Sequence, residues 1–539
     1  MPEFAGDWPP KPWDTALDQF NLYSAWWEGN TDALEEIYGN GSNIPAPRPS
    51  QFRGGVVGRL ARFFWGRPVL QDTKRLHIPA AADIATTSAD LLFGQPPSWL
   101  FNEGDATDVE AAQAQLNDLL DGADTVATLL EAAEVQAALS GVYLRLWWDL
   151  DATDKVMLSP VAPDAAIPQW RYGKLAEVTF WSIVAENKSG VWRHLEHHAP
   201  GYIEHALYLG DQGSIGRRMP LESLESMQWA ADLVDENSSV QTRVEGLTAA
   251  YIPNVRPARR WRNVPGLAPL GRSDFEGVEH LFDALDEAWS SWMRDLDLAK
   301  ARLFVAQELL EDNGPGKGAT FDREQEIFTP VPSDQSGSLA DGAASQLVQA
   351  QQFKIRVEEH AKTCDKLMRQ ILRATGYSPG DFEDADTSGA MTATEVSARK
   401  DKSNTTRSRK ILYWQSEAQP LARTMLELDR IVYKRPDHGV KADPEMKFPV
   451  RVDQDPVQLS TAISNLRAAR AISTETAVRM FNPNWSNPEV EDEVARILEE
   501  NQFEVPDPNG GDFEAADEEA HSNLQGEVEP DTEPMDEAA

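Results

Sequence analysis

The chain has 539 residues, 41% of them hydrophobic, so it can bury a sizeable core in one elaborate unit or several domains. A net charge of −38 excludes a protein that grips nucleic acid through a general basic surface, because counterion release requires an excess of Lys and Arg. The single cysteine, Cys364, excludes an internal disulfide framework and fits folding in a reducing cytoplasm.

Cys364 lies on an apolar helical stripe and reads as a core residue rather than a reactive thiol. The N-terminus lacks a basic segment followed by an apolar run, and no apolar stretch approaches the about 18 residues of a membrane span. Neither a signal peptide nor a membrane segment is therefore expected. Seventeen tryptophans point to subunit contacts as well as cores.

In chain order, residues 1–50 are rich in Pro and Trp, with one helix expected over Thr15–Tyr38 and an extended arm otherwise. Residues 74–96 form a compact helical segment that stops at Gly94 and Pro96. Residues 108–140 are Ala- and Leu-rich and helical. Strand-like runs follow at Val142–Trp148, Val156–Ser159, Leu175–Val184, Val191–His198 and Tyr202–Leu209, and Ala199-Pro200-Gly201 makes the last two a hairpin. After the loop-rich 210–248 come Ala249–Arg262 and the turn-rich Asn263–Arg272, so the central part reads as an α+β body.

From Phe275 the period becomes helical. Phe275, Val278, Phe282, Leu285, Trp289, Trp292 and Leu296 recur at three- and four-residue spacing. Glu276, Glu279, Asp283, Asp286 and Glu287 form an acidic stripe beside them. Residues 311–345 are rich in Gly, Ser and Asp, with a short strand expected at Glu326–Val331. A second helix is expected over Gln351–Ala374, then an acidic loop over Gly376–Gly389. The Ser/Thr-rich lead-in Thr392-Ala393-Thr394-Glu395 starts a helix of more than forty residues reaching Tyr433. Its first half is basic, with Arg399, Lys400, Lys402, Arg407, Arg409 and Lys410; its second half is apolar. Pro420 sits inside it and is expected to kink it. A strand at Met446–Val452 returns to the body, and Pro456–Asn482 and Pro488–Asn501 are helical. Residues 502–539 hold 13 Asp and Glu with no Lys or Arg, which predicts a disordered tail.

Two segments carry a family resemblance. Leu76-His77-Ile78-Pro79, followed by the helix that ends at Phe93-Gly94, is similar to a recurrent entry motif in portal proteins of tailed bacteriophages, in the branch infecting Gram-positive and actinobacterial hosts. Ser388-Gly389-Ala390-Met391-Thr392-Ala393-Thr394-Glu395-Val396 resembles a second family segment, in the expected order. The resemblance covers about residues 20–500. It implies an α+β portal-type fold: an arm (1–50), an α/β wing (51–274), a stem helix (275–300), a small β-containing clip (301–350) and a second stem helix (351–375). A tunnel loop (376–391), the long kinked helix with a returning wing strand (392–454), a helical crown (455–501) and the acidic tail (502–539) complete it.

It also implies a function: a homo-oligomeric ring, most often a dodecamer, at one capsid vertex of the virion, made in the host cytoplasm. Double-stranded DNA would pass through its channel during packaging and ejection. The implied partners are the terminase large subunit, the major capsid protein and scaffold, and a head–tail adaptor, with no membrane. The stem stripe would pack helices around the ring, leaving the acidic stripe toward the channel or a neighbour.

Other motifs are weighed against this frame. Gly314-Pro315-Gly316-Lys317-Gly318-Ala319-Thr320 fails the phosphate-loop spacing, because only Pro315 separates its glycines and Gly318, not Ser or Thr, follows the lysine. His194 and His198 share a strand face but stand about 13 Å apart. His197 and His205 would be diagonal neighbours about 7 Å apart without a third ligand. A solvated strand surface is expected for all four.

In the acidic loop, Asp381, Phe382, Glu383, Asp384, Asp386, Ser388 and Gly389 read as a solvated loop or, on the resemblance, as a channel-facing one whose negative charge keeps DNA from sticking. The carboxylates lack the glycine and terminal glutamate of a calcium-binding loop. Arg399, Lys402 and Arg409 share a helical face, either solvated and salt-bridging between subunits or contacting phosphate. No cofactor and no catalytic constellation is expected. The alternatives are another head–tail connector or minor capsid protein, which predicts the same lack of catalytic motifs, and a metal-dependent nuclease or ATPase, which needs a constellation the spacing does not supply.

Overall fold

A computed structural model describes residues 1–2, 4–38, 76–298, 302–305, 311–312, 319–320, 348–351, 356–382, 393–449, 456–482, 485 and 487–503. The chain divides into two compact units, Met1–Pro449 and Val450–Ala539.

In the first unit the helices are α1 (Trp13–Glu28), α2 (Thr31–Tyr38), α3 (Ala80–Phe93), α4 (Val109–Leu120), α5 (Ala123–Ala138), α6 (Gln228–Leu233), α7 (Glu279–Leu298), α8 (Val357–Thr375) and α9 (Ala393–Val432). The expected helix over Thr15–Tyr38 is thus two helices. Gly29, at φ +65°, adopts the left-handed conformation that ends α1, and a side chain there would press on the His77 ring. α4 begins where Asp108 accepts the Ala111 amide at 3.1 Å, an N-cap of the ordinary kind.

The strands are β1 (Ser98–Leu100), β2 (Gly141–Trp147), β3 (Met157–Val161), β4 (Ala166–Arg171), β5 (Lys174–Asn187), β6 (Gly190–Ala199), β7 (Tyr202–Gly210), β8 (Arg217–Met219), β9 (Ser239–Gln241) and β10 (Ala249–Pro253). β4 to β8 form an antiparallel sheet in sequence order, with β9 also paired to β7, and β2 lies between β10 and β3 in a second sheet. β6 and β7 are the expected hairpin, closed by Pro200 and by Gly201 at φ +90°. β4 escaped the sequence pattern because Pro168 interrupts it; β4 is an edge strand, where a missing N–H is tolerated.

Further on, Arg302–Val305 pairs antiparallel with Val348–Gln351, and Glu311–Asp312 with Ala319–Thr320. The expected strand Glu326–Val331 and the Gly314–Gly318 run lie outside the described residues. The second long helix therefore starts at Val357, not Gln351, because Gln351 belongs to a strand. The first starts at Glu279, not Phe275, because Gly277 at φ +91° holds the preceding residues in turns. α9 runs unbroken through Pro420. Among the described residues the returning strand is Glu445–Lys447, paired with β1; residues 450–452 of the expected strand lie outside them.

Two cores result. One gathers α1, α3, the large sheet, Phe275 to Leu285 and the inner ends of α7 and α8. The other packs α4, α5, β2 and β10 on the apolar second half of α9. Trp414 is fully buried there, edge-on to Phe93 at 4.6 Å, with its indole N–H on Gln136 Oε1 at 2.9 Å.

The second unit holds helices Pro456–Ala468, Thr474–Phe481 and Asn487–Phe503. Ser473 caps the middle one, accepting the Thr476 amide at 3.1 Å. Residues 504–539 lie outside the described residues.

Candidate functional site

Four polar side chains from distant segments meet where the paired helices α7 and α8 end. Asp274 lies just before α7, Tyr377 just after α8, Ser88 on α3 and Lys410 on α9. Lys410 Nζ donates to Asp274 Oδ2 at 2.6 Å, to Ser88 Oγ at 2.6 Å and to Tyr377 Oη at 3.0 Å. An ammonium has three donors, and all three are used. Tyr377 Oη donates to Asp274 Oδ2 at 2.7 Å, and Asn254 Nδ2 donates to Asp274 Oδ1 at 2.8 Å. Burial pushes the Lys410 pKa down, and the Asp274 carboxylate opposes that shift. Burial, then the Asp274 charge, raises the Tyr377 phenol well above its ordinary range, so it stays a donor.

The same face of α9 clasps the root of the following loop. Lys402, Ser403, Thr406 and Lys410 fall at i, i+1, i+4 and i+8. Lys402 Nζ donates to the Arg373 carbonyl. Ser403 Oγ accepts the Ser378 amide at 2.8 Å and donates to the Asp381 carboxylate. Thr406 Oγ1 donates to the Gly376 carbonyl at 2.6 Å. Side chains of α9 thus satisfy carbonyls at the C-terminal end of α8, which have no partner within that helix. Gly376, at φ +98°, makes the close approach possible, since a Cβ there would stand 2.8 Å from Thr406 Oγ1.

Of the acidic-loop residues, Asp381 and Phe382 sit at this root. Phe382 packs edge-on to Tyr377 at 6.4 Å. Glu383, Asp384, Asp386, Ser388 and Gly389 lie outside the described residues. Arg399 lies in the early turns of α9. Lys402 and Arg409 are exposed, but Lys402 turns back onto α8. Lys410 was legible only as one member of a basic run. The signal that marks it is its place four residues before Trp414 and eight before Ala418, on the buried stripe of α9.

In the apolar stripe, Phe275, Val278, Phe282 and Leu285 are buried in the chain's own core; Trp289 and Trp292 are half-buried, and Leu296 is exposed. The acidic stripe divides the same way. Glu279 and Asp286 do not face a channel or neighbour, because both are buried within the chain. Asp286 binds His77 Nδ1 at 2.9 Å and the Ile78 amide at 2.9 Å, fastening the entry segment onto α7. Asp295, farther along α7, reaches across to α8, holding Arg356 at 3.0 Å and His360 at 2.9 Å. Glu287 remains exposed.

The histidines are not a solvated surface. His194, His197, His198 and His205 are all buried, because both faces of β6 are covered. The register puts His205 opposite Glu196, and the close pair is His194 Nε2 to His205 Nδ1 at 3.0 Å, two parallel rings lying under Trp229. Burial holds the His194 and His197 pKa values down at about 4 and lowers His205 as well. Glu196 is pushed up by burial, yet His198 at 2.8 Å and Arg145 at 2.7 Å hold it well below the ordinary carboxylate range. Among the described residues, no group of three or more His, Cys, Asp or Glu is placed to hold a metal ion.

The geometry is a junction of buried charge and packed helices. Residues 235–507, just over half of the chain, match the family model described as phage portal protein, SPP1 Gp6-like. The chain belongs to the phage portal protein family. As a portal chain it serves at the head–tail junction and is a component of the virion. No helix among the described residues is long and apolar enough to cross a membrane.

No curated protein matches the chain. Solved structures similar to it include a chain of the virion of a native gene transfer agent particle, 14% identical, with a TM-score of 0.38, covering 79% of this portal chain and 99% of that one. A chain from the neck of an empty gene transfer agent particle is 13% identical, with a TM-score of 0.37, covering 76% and 92%. A chain from the neck of the native particle is 14% identical, with a TM-score of 0.34, covering 79% and 99%.

Proposed function

We propose that copies of this chain, from the actinobacterial or Gram-positive phage branch that its entry motif resembles, close into a dodecameric ring at one capsid vertex. The ring conducts double-stranded DNA during packaging and ejection. It docks the terminase large subunit, which supplies the ATP hydrolysis and cleavage, and later a head–tail adaptor; the major capsid protein and scaffold surround it. The portal chain itself is a conduit with movable parts rather than an enzyme.

The observation that carries this reading is the family match over residues 235–507. The order of elements within it agrees: helix, small β-bearing excursion, returning helix, acidic loop, long helix. In this reading α7 and α8 are the stem, the strands between them belong to the clip, and the half-exposed Trp289, Trp292 and exposed Leu296 pack around the ring. The tunnel loop begins in earnest at Glu383, because Asp381 is engaged by Ser403 and Phe382 by Tyr377. α9 is the beam that carries loop movements to the wing, and the Lys410–Asp274–Tyr377 cluster is the joint.

Neutralising the loop with Glu383→Gln, Asp384→Asn and Asp386→Asn tests the channel reading. Particles should assemble normally but hold less DNA. Full heads at wild-type frequency contradict a channel-facing loop.

A further inference from the structure

Among the described residues, four arginines of this strongly acidic chain stand without an ion pair beside one face of α9. Arg409, Tyr413 and Glu417 recur every four residues along that face. Tyr413 Oη accepts the Arg256 amide at 3.3 Å, which brings the segment carrying Arg259 against the helix. Glu417 takes Lys174 Nζ at 2.7 Å, which fastens the β4–β5 hairpin tip, and with it Arg171, farther along the same face. Arg272 is tied to the first segment through its amide on Val255 O at 2.8 Å. Burial, then the charge of Arg259 and in smaller part that of Arg409, lowers its pKa, while Glu276 and Asp274 oppose the shift. Among the described residues, Arg171, Arg259, Arg272 and Arg409 form no ion pair. Glu276 feels the charges of Arg272 and Arg259 and offsets part of the repulsion among Arg259, Arg272 and Arg409; the remaining like charge favours a further anion.

At the hairpin tip stands Tyr172, fully exposed and at φ +51°. Arg171 pairs with Lys174, so Tyr172 and Gly173 form a two-residue turn with both φ values positive. Such a turn favours Asn, Asp or Gly at its first position, and a bulky aromatic there is strained. The ring contributes nothing to the chain's own core. Strain without internal benefit, at a tip held to α9 by the Lys174–Glu417 pair, points to contact with something else.

We propose that this face receives an acidic surface of a second copy of this chain, with Tyr172 as the anchor at its end. The proposal rests on the ring reading above and names one of its contacts. Copies that each carry −38 repel unless their contact pairs opposite charges. Tyr and Arg are the residue types that dominate interface energetics. Duplex DNA is the poorer occupant, because four arginines on phosphate would brake a sliding duplex.

The test is the assembly of the full chain, followed by mass photometry across protein and salt concentration. The double variant Arg259→Glu/Arg409→Glu should need at least tenfold more protein to assemble, at an unchanged melting temperature. Arg259→Gln/Arg409→Gln, the control should the first variant fold poorly, should fall between it and wild type. A photo-crosslinking residue at position 172 should capture peptides of another copy when light and heavy isotope-labelled chains are mixed. Assembly of both variants at the wild-type concentration, or crosslinks confined to single chains, overturns the proposal and leaves the ring reading intact. Loss of short-duplex binding with assembly untouched also overturns it and gives the face to DNA. A wild type that never assembles overturns the ring reading and this inference together.

Discussion

Lys410 Nζ and Asp274 Oδ2 lie 2.6 Å apart, almost entirely out of solvent, although 136 residues separate them in the chain. Each charge is tolerable only because the other is present, and Ser88, Tyr377 and Asn254 satisfy what remains. The pair ties the base of both paired helices to the long helix, so its loss is felt at the joint.

Removing one partner leaves an uncompensated buried charge. Lys410→Met and Asp274→Leu should each destabilise the chain by about 3–5 kcal/mol in urea unfolding. The double variant should cost clearly less than the sum, which a double-mutant cycle measures. Additive losses would mean the two charges do not depend on each other.

Gly376 and Thr406 set the loop root. Gly376→Ala forces a Cβ toward Thr406 Oγ1 at positive φ and should cost about 1–3 kcal/mol. Protease cleavage after α8 should accelerate correspondingly. Thr406→Val removes the bond to the Gly376 carbonyl and should cost less, about 1 kcal/mol.

The buried histidines predict acid lability. In the folded chain His194 is held down at about 4, against an ordinary 6.5, so between those values the unfolded state binds the extra proton. Stability is complete above pH 6.5 and falls as pH drops toward 4, with a contribution from His194 on the order of 3 kcal/mol. His197 adds in the same direction, with its own drop to about 4. Denaturant midpoints measured from pH 7.5 to 4.5 should decline, and His194→Gln should flatten the decline. An unchanged slope in that variant would contradict the assignment.

Much of this was legible in the sequence, and the failures have physical causes. The spacing of Phe282, Leu285, Trp289 and Trp292 gives the helical face directly, since it is a local period. Which part of that face the chain buries itself and which it leaves open depends on residues 76–78 and the sheet, far away in sequence. Likewise His194 and His198 share a face by strand alternation. That the face is dry depends on Arg145, Thr248 and Trp229, which no local pattern points to. Lys410 looked like its basic neighbours, yet among Lys402, Arg407, Arg409 and Lys410 it alone is fully buried. Its partner Asp274 lies outside any window that a periodic argument inspects.

Pro420 separates fold from use. An internal proline costs a helix about 3 kcal/mol relative to alanine, and Pro420 is exposed within an unbroken α9. Pro420→Ala should therefore raise stability by about 1–3 kcal/mol. If a bend there transmits loop movement to the wing, DNA packaging should fall while melting temperature rises. Both rising together would leave the proline without a mechanical role.

The central claim is a closed ring around a channel, and class averages of the purified full-length particle in negative stain test it most directly. The account predicts rings with an open central hole, dodecameric in the virion context. A compact monomer persisting at high concentration, with capsid protein and scaffold also supplied, would contradict it.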